Sequence, residues 1–458
     1  MLMTHSNNRD NELEFLNHSC LIVKSGNTKI LCDPWFTGPA FNNSWRLLYE
    51  DSHNINQIEC DYVWISHEHP DHFSIPTLSQ INKSKHFLYQ QTSDKKVKKW
   101  LEKRHHSVTE LEDGIEYDLG EIKLTSFVSD GYDSAALFKF PNGNKFLNLN
   151  DARVELGDTI NRISKHDLSR LKIISIQFSY ANWAGNEDDN EIPFHQQDLV
   201  IERIIKIYEA FKPEKIFLFA SYVYYSHEEN FFWNKKFWLP YVVEKLAKNG
   251  INLIIPKPNQ IIKIDEVANK NFIEENKLAI DFWKKQTQEE QIKDRSNRNI
   301  SIGEIESAYN KCYDKIWQNN TLSTVSNSKN KNFCLRAKIS DKDCVLEIYL
   351  FSKTFIAENS EAYDCEISSE TLVFLLNNNF GRGTVTVNGR IQFNYHLAHR
   401  FFIFFFIPYA NNIGKFFTNE FLTSKILKSI GNTSVMMSIL KFNPHSRTKF
   451  EEEIKLFD

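Results

Sequence analysis

The chain has 458 residues, enough for about two or three domains, and its 41% hydrophobic content, with 36 Phe and 9 Trp, is ample for their cores. Lysines and arginines number 55 against 59 aspartates and glutamates, a net charge of −4, so no basic surplus argues for nucleic acid and a small-molecule substrate is expected. Seven cysteines with no Cys-x-x-Cys and no Cys-x-His pair argue against disulfides, zinc ribbons and Rieske clusters, and read as small buried residues.

The N-terminal tail, residues 1–11, is polar and lacks the apolar segment of a signal peptide. The longest dense apolar run, Phe401 to Ile407, falls far short of the ~20 residues a membrane span requires. A cytoplasmic protein without a membrane span is expected. From Glu12 to Asp33 the pattern gives two strands, Leu13 to Val23 and Thr28 to Cys32, around a Ser25-Gly26-Asn27 turn. A loop follows, Asp33-Pro34-Trp35-Phe36-Thr37-Gly38-Pro39-Ala40-Phe41, in which Asp33 reads as a structural carboxylate and not as a ligand.

Tyr62-Val63-Trp64-Ile65 is a short apolar strand. Directly behind it stands Ser66-His67-Glu68-His69-Pro70-Asp71-His72, three imidazoles and an aspartate in one loop. Neutral imidazole and carboxylate are what divalent transition metals bind. Side chains two apart in an extended segment point the same way, so His67 and His69 converge on one ion, while Asp71 and His72, beyond Pro70, face a second.

This motif resembles the His-x-His-x-Asp-His signature of metallo-β-lactamase-fold enzymes. With the "DPWFTGPAF" phrase ahead of it, the stretch is similar to the metallo-β-lactamase module of CMP-N-acetylneuraminate hydroxylases. The resemblance implies an αββα sandwich with two metals in loops at one edge. The strands and helices that alternate from Ile75 to Asn150 agree with a layered α/β domain. It also implies a third ligand, normally His, within Val128 to Ser134, where there is no histidine. Asp130 is the best match and Asp133 the second, a carboxylate that shifts the expectation from zinc towards iron or manganese. Asp151, ending the strand Lys145 to Leu149, resembles the carboxylate that bridges both metals. His227, in the loop after the strand Lys215 to Phe219, resembles the last ligand.

The acidic loop Asn186 to Glu191 is a candidate substrate wall, and His195 beyond it reads as a surface or supporting residue. Phe231 to Trp238 reads as an amphipathic helix with an aromatic face. The catalytic domain is expected over 12–265 and a helical connector over 266–299. Residues 300–458 then form a C-terminal α+β domain that resembles sterol-carrier-like modules. In that domain a helix is expected at Glu304 to Gln318, strands at Phe333 to Ile339 and Val345 to Phe351, and a helix at Ser369 to Leu376. A hairpin at Thr384 to Phe393 turns at Asn388-Gly389, and Phe401 to Phe406 is read as a buried strand in preference to an apolar pocket lining or a dimer interface.

Two divalent ions about 3.5 to 4 Å apart can share a hydroxide and aim it at a carbonyl or phosphoryl centre. His67, His69 and Asp130 would hold one ion and Asp71, His72 and His227 the other, with Asp151 between them and Asp71 also orienting the nucleophile. The first expectation is a metal-dependent hydrolase of an ester, lactone, amide or phosphodiester, on the frequency of such members in the fold. The second is a diiron oxygenase related to the hydroxylase branch, which needs an external electron donor. A non-catalytic ligand-binding protein ranks last.

Overall fold

The structure, a computed structural model, describes residues 10–50, 54–129, 133–288, 292–296 and 298–458. Asp130, the preferred third-ligand candidate, lies outside the described residues. The chain forms two compact units. One comprises residues up to Tyr180 with 197–224 and 234–291, and the other 181–196, 225–233 and 292–458.

The first unit contains β1 (Asn11–Asn17), β2 (Cys20–Ser25), β3 (Thr28–Cys32), β4 (Trp45–Leu47), β5 (Tyr62–Ile65), β6 (His86–Gln90), β7 (Ser107–Leu111) and β8 (Glu116–Asp118). It continues with β9 (Lys123–Val128), β10 (Ser134–Lys139), β11 (Lys145–Asn150), β12 (Leu171–Gln177), β13 (Lys215–Phe219), β14 (Val223–Tyr225), β15 (Leu253–Ile254) and β16 (Gln260–Lys263). These make two seven-stranded sheets, ordered β16-β1-β2-β3-β5-β6-β7 and β15-β13-β12-β11-β10-β9-β8, and a small β4–β14 ribbon.

Period-two alternation explains the layering of the first sheet. Leu21, Val23, Ile30, Cys32, Trp64 and Leu88 enter the core that also holds Phe127, Phe138 and Phe146 of the second sheet. Their neighbours Ile22, Leu31, Val63, Ile65 and Phe87 point the other way. There they meet Leu78 of α1 (Ile75–Leu78) and Val97 and Leu101 of α2 (Lys96–Glu102). After α3 (Thr159–Ser164), the second sheet is covered by α4 (Glu191–Phe211) through Ile201, Ile204, Ile207 and Phe211, and by α5 (Leu239–Lys248) through Leu239, Val242 and Leu246. The result is the expected αββα sandwich. The stretch expected as a helical connector carries α6 (Ile273–Thr287), whose Trp283 is fully buried, stacks on Tyr222 at 4.1 Å and donates Nε1–H to the Pro256 carbonyl at 2.7 Å.

The second unit centres on a five-stranded sheet. Its strands are β17 (Cys334–Ile339), β18 (Cys344–Tyr349), β19 (Phe355–Glu358), β20 (Cys365–Ile367) and β21 (Gln392–Phe393), in the order β19-β18-β17-β20-β21. The helix expected near 304–318 spans Ile302–Asn319 and opens with a Ser301–Glu304 capping box. Two expectations fail. The first half of the predicted hairpin lies in the helix Gly381–Asn388, and the Asn-Gly pair ends it, with Gly389 in the left-handed cap at φ 68°. The phenylalanine run is buried, but within the helices His399–Phe404 and Phe406–Asn412. Among the described residues no helix is long and apolar enough to cross a membrane.

Candidate metal centre

Sheet order brings the site loops of the first unit together. Pairing of β3 with β5 sets Cys32 opposite Trp64, so Asp33 and Ser66 leave the sheet side by side. His18 occupies the β1–β2 turn, and Asn150 and Asp151 follow at the end of β11. His18, Asp33 and Asn150 all have left-handed backbone, at φ 38°, 41° and 51°. Each such non-glycine residue costs ~1–3 kcal/mol and persists only where its surroundings over-determine it.

Asp33 is the anchor. Its Oδ1 accepts the Ser66 N–H at 2.8 Å, and its Oδ2 accepts the Ser66 hydroxyl at 2.7 Å and Asn150 Nδ2 at 3.0 Å. The same Oδ2 stands 2.9 Å from His72 Nδ1. A ring that donates Nδ1–H to a carboxylate turns Nε2 inward, and His72 Nε2 lies 3.5 Å from Asp71 Oδ2 and 3.7 Å from Asp151 Oδ2.

Two donor groups result, each with its candidate atoms within 4.8 Å of one another: His67, His69 and Asp151, and His18, Asp71 and His72. In the first, His67 Nε2 is 2.8 Å from His69 Nδ1, 3.5 Å from Asp151 Oδ2 and 3.8 Å from Asp133 Oδ1. Asp133 is therefore the carboxylate that the described part of this loop brings to the group. In the second, His18 Nε2 faces Asp71 Oδ2 at 3.3 Å. Sequence reasoning missed His18, a lone histidine inside a stretch read as one strand. The signal that could have found it is the Asn17-His18-Ser19 polar interruption between two apolar runs.

His227 lies in the second unit. Its candidate atoms group with Glu229 and Glu370, and its Nδ1 accepts the backbone N–H of Glu229 at 3.2 Å. Both glutamates are tied to the buried Arg390, Glu229 at 2.9 Å and Glu370 at 3.4 Å.

Burial keeps His18, His67 and His69 below the ordinary imidazole value, hence neutral with a lone pair to offer. His72 differs: burial opposes its charge, but Asp151, Asp71 and Asp33 outweigh it and push the ring up to about 10. Burial and the neighbouring Asp151 raise Asp133 to about 7. The carboxylates thus draw in positive charge. Four buried atoms, His18 Nδ1, Asp71 Oδ1, His72 Nε2 and Asp151 Oδ1, have no hydrogen-bond partner among the described residues. A buried polar atom left without a partner in such a place costs ~1–3 kcal/mol. Imidazoles and carboxylates with open atoms and excess negative charge fit a pair of divalent cations.

Residues 12–172 match the β-lactamase superfamily domain. The cytidine monophosphate-N-acetylneuraminic acid hydroxylase of Xenopus laevis is 30% identical over 151 residues, 31% of this chain. That match spans only 25% of the hydroxylase's own length. Among solved structures, CmlA, a diiron β-hydroxylase from Streptomyces venezuelae, shares 14% identity over 56% of this chain and 54% of its own, with a TM-score of 0.41. Igni18, a metallo hydrolase from Ignicoccus hospitalis, shares 14% identity over 55% of this chain and 97% of its own, with a TM-score of 0.37.

Proposed function

Residues 12–172 are a metallo-β-lactamase superfamily domain, and from that premise we propose that the protein is a dinuclear metalloenzyme acting on a small molecule. The superfamily contains both metal-dependent hydrolases and hydroxylases. In this reading His67, His69, Asp133 and Asp151 hold one ion, and His18, Asp71 and His72 the other. The second set has three donors without His227.

Oxygen-dependent hydroxylation by a pair of irons is the reading the site supports best. The observation that carries it is Asp133, a carboxylate within 3.8 Å of His67 Nε2 where the superfamily pattern has a histidine. It brings the donor set to four imidazoles and three carboxylates, harder than a histidine-rich cage and better suited to iron or manganese than to zinc. The sequence likeness to a hydroxylase supports the same branch. Bound irons would supply O₂ reduction: a substrate C–H becomes C–OH, and the second oxygen atom leaves as water with two electrons from an external donor and two protons from solvent. The chain's own residues do the rest. Asp33 fixes the His72 ring, and Ser66 braces Asp33 and His67.

Hydrolysis remains the second reading because of Asp71. His72 and His18 hold its carboxyl well below the usual range against the effect of burial, and its Oδ1 is open, so it can orient a nucleophilic hydroxide. Metal analysis of protein prepared with iron and with zinc supplied separately, followed by an optical spectrum in air, separates the two. Two irons per chain with an oxo-bridged ferric absorption are expected. Two zincs with ester, lactone or phosphodiester turnover would instead establish the hydrolase.

A further inference from the structure

Strand β12 ends at Gln177, and the pairing of Asn150 with Ile176 sets that end beside Asp151. Arg203 reaches it from α4, where Nη2 donates to the Gln177 carbonyl at 3.0 Å and to its Oε1 at 3.3 Å. The Nε of Arg203 is buried and has no partner among the described residues. Glu155 takes Arg153 Nε on Oε1 at 3.0 Å, and its Oε2 is likewise buried and open. Lys206, exposed and one turn further along α4, donates from Nζ to the Glu155 carbonyl at 3.4 Å.

Three cations, Arg153, Arg203 and Lys206, therefore gather around Glu155 on the strand-end edge that carries Asp151: Arg153 on its carboxylate, Lys206 on its main-chain carbonyl, and Arg203 near enough to feel its charge. Arg203 also feels the charges of Glu155, Asp151 and Asp133. In the metal-loaded reading Asp151 and Asp133 are neutralised by their ions, which leaves the cluster with a positive surplus. A buried guanidinium whose Nε–H has no acceptor loses more than the bond itself, because its desolvation is uncompensated. A planar, always-charged fork held at one end and open at the other is suited to an oxyanion.

We infer that Arg203 is a specificity residue that holds an anionic group of the substrate, a phosphate or a carboxylate, beside the Asp133–Asp151 edge of the metal centre. The inference rests on the proposed metal site for its role in catalysis, but not for the binding itself. An oxyanion that accepts from Arg203 Nε–H supplies the partner this atom lacks. Arg153 and Lys206 guide the anion from the rim.

The test titrates inorganic phosphate and acetate by calorimetry into the full chain, metal-loaded and metal-free, as wild type, Arg203→Gln and Arg203→Lys. Arg203→Gln is expected to weaken phosphate binding about tenfold or more in both forms, with metal count and melting temperature unchanged, and Arg203→Lys to restore most of it. Acetate binding with the same Arg203 dependence and greater strength would assign the anion as a carboxylate. Equal phosphate affinity in wild type and Arg203→Gln overturns the inference, as does a loss that the lysine variant fails to recover. Should the glutamine variant not fold, Arg153→Gln/Lys206→Gln decides: a drop of about threefold supports the cationic wall and no drop refutes it. A wild type that holds no metal overturns the proposed function alone, since the metal-free titration still reads Arg203.

Discussion

Asp33 touches no candidate metal position itself, yet four donors converge on its two oxygens and one of them is the ring of His72. An asparagine there keeps the volume but replaces one acceptor with an NH₂ that confronts other donors. Asp33→Asn is expected to weaken the ion held by His72 about 10–100-fold, the usual cost of losing such a support, read by chelator competition. An unchanged affinity would reduce Asp33 to a purely structural residue. His18→Ala is expected to lower the metal count from two ions towards one, and His227→Ala to leave it at two, because His227 Nδ1 already accepts the Glu229 N–H and its proton then sits on Nε2. Elemental analysis of the two variants tests this, and the reverse pattern would restore His227 as the ligand. At this scale the sequence was legible where ligands crowd together. His67, His69, Asp71 and His72 announce themselves by spacing, whereas His18 stands alone and depends on a strained turn that no local pattern reveals.

Secondary structure was readable where the local pattern was unambiguous, as in β3 and the helix opened by Ser301 and Glu304, whereas β1 and β2 were merged into one strand. It failed where one signal serves two structures. Asn388-Gly389 suits a hairpin turn and a helix end equally, because both need left-handed backbone. An all-apolar run such as Phe401 to Phe406 has no periodicity to separate strand from helix. The helix carrying that run is clamped to Pro444–Ile454 by Glu453, which accepts Arg400 Nε at 2.7 Å and pairs with His399 Nε2 at 2.7 Å. Burial would raise the Glu453 carboxyl, but His399 and Arg400 outweigh it and hold it below the ordinary value. A depressed folded-state value contributes stability above the unfolded value, near pH 4.3, that is lost as the pH falls through the folded one. Urea unfolding of wild type should therefore weaken as the pH drops below about 4. Glu453→Gln should cost ~1–3 kcal/mol at neutral pH and lose that part of the acid dependence; an unaltered pH profile would show the clamp to be inert.

For the molecule as a whole, the sequence suggested contiguous segments, whereas the second unit also takes in 181–196 and 225–233. Such excursions are fixed by distant contacts, the Trp183 N–H to the Thr386 carbonyl at 2.6 Å and Asn230 Nδ2 to the Asn388 carbonyl at 2.7 Å among them, and distant contacts leave no local mark in a sequence. The second excursion carries His227, so the question of ligand identity is also a question of which unit feels the metal. Every donor in the proposed site, from His18 to Asp151, belongs to the first unit. An ion that binds only the folded site at a hundred times its dissociation constant stabilises that site by ~2.7 kcal/mol. The gain appears as slower amide exchange in the segments that must open to release it. Hydrogen exchange with and without metal should therefore show protection at residues 17–19, 66–73 and 150–154, and none in the β17–β18 ladder. Segment 226–230 is the discriminating one: no added protection there agrees with His18 as the third donor of the group with Asp71 and His72, while protection matching that of 66–73 would bring His227 into the metal site and displace His18 from the assignment.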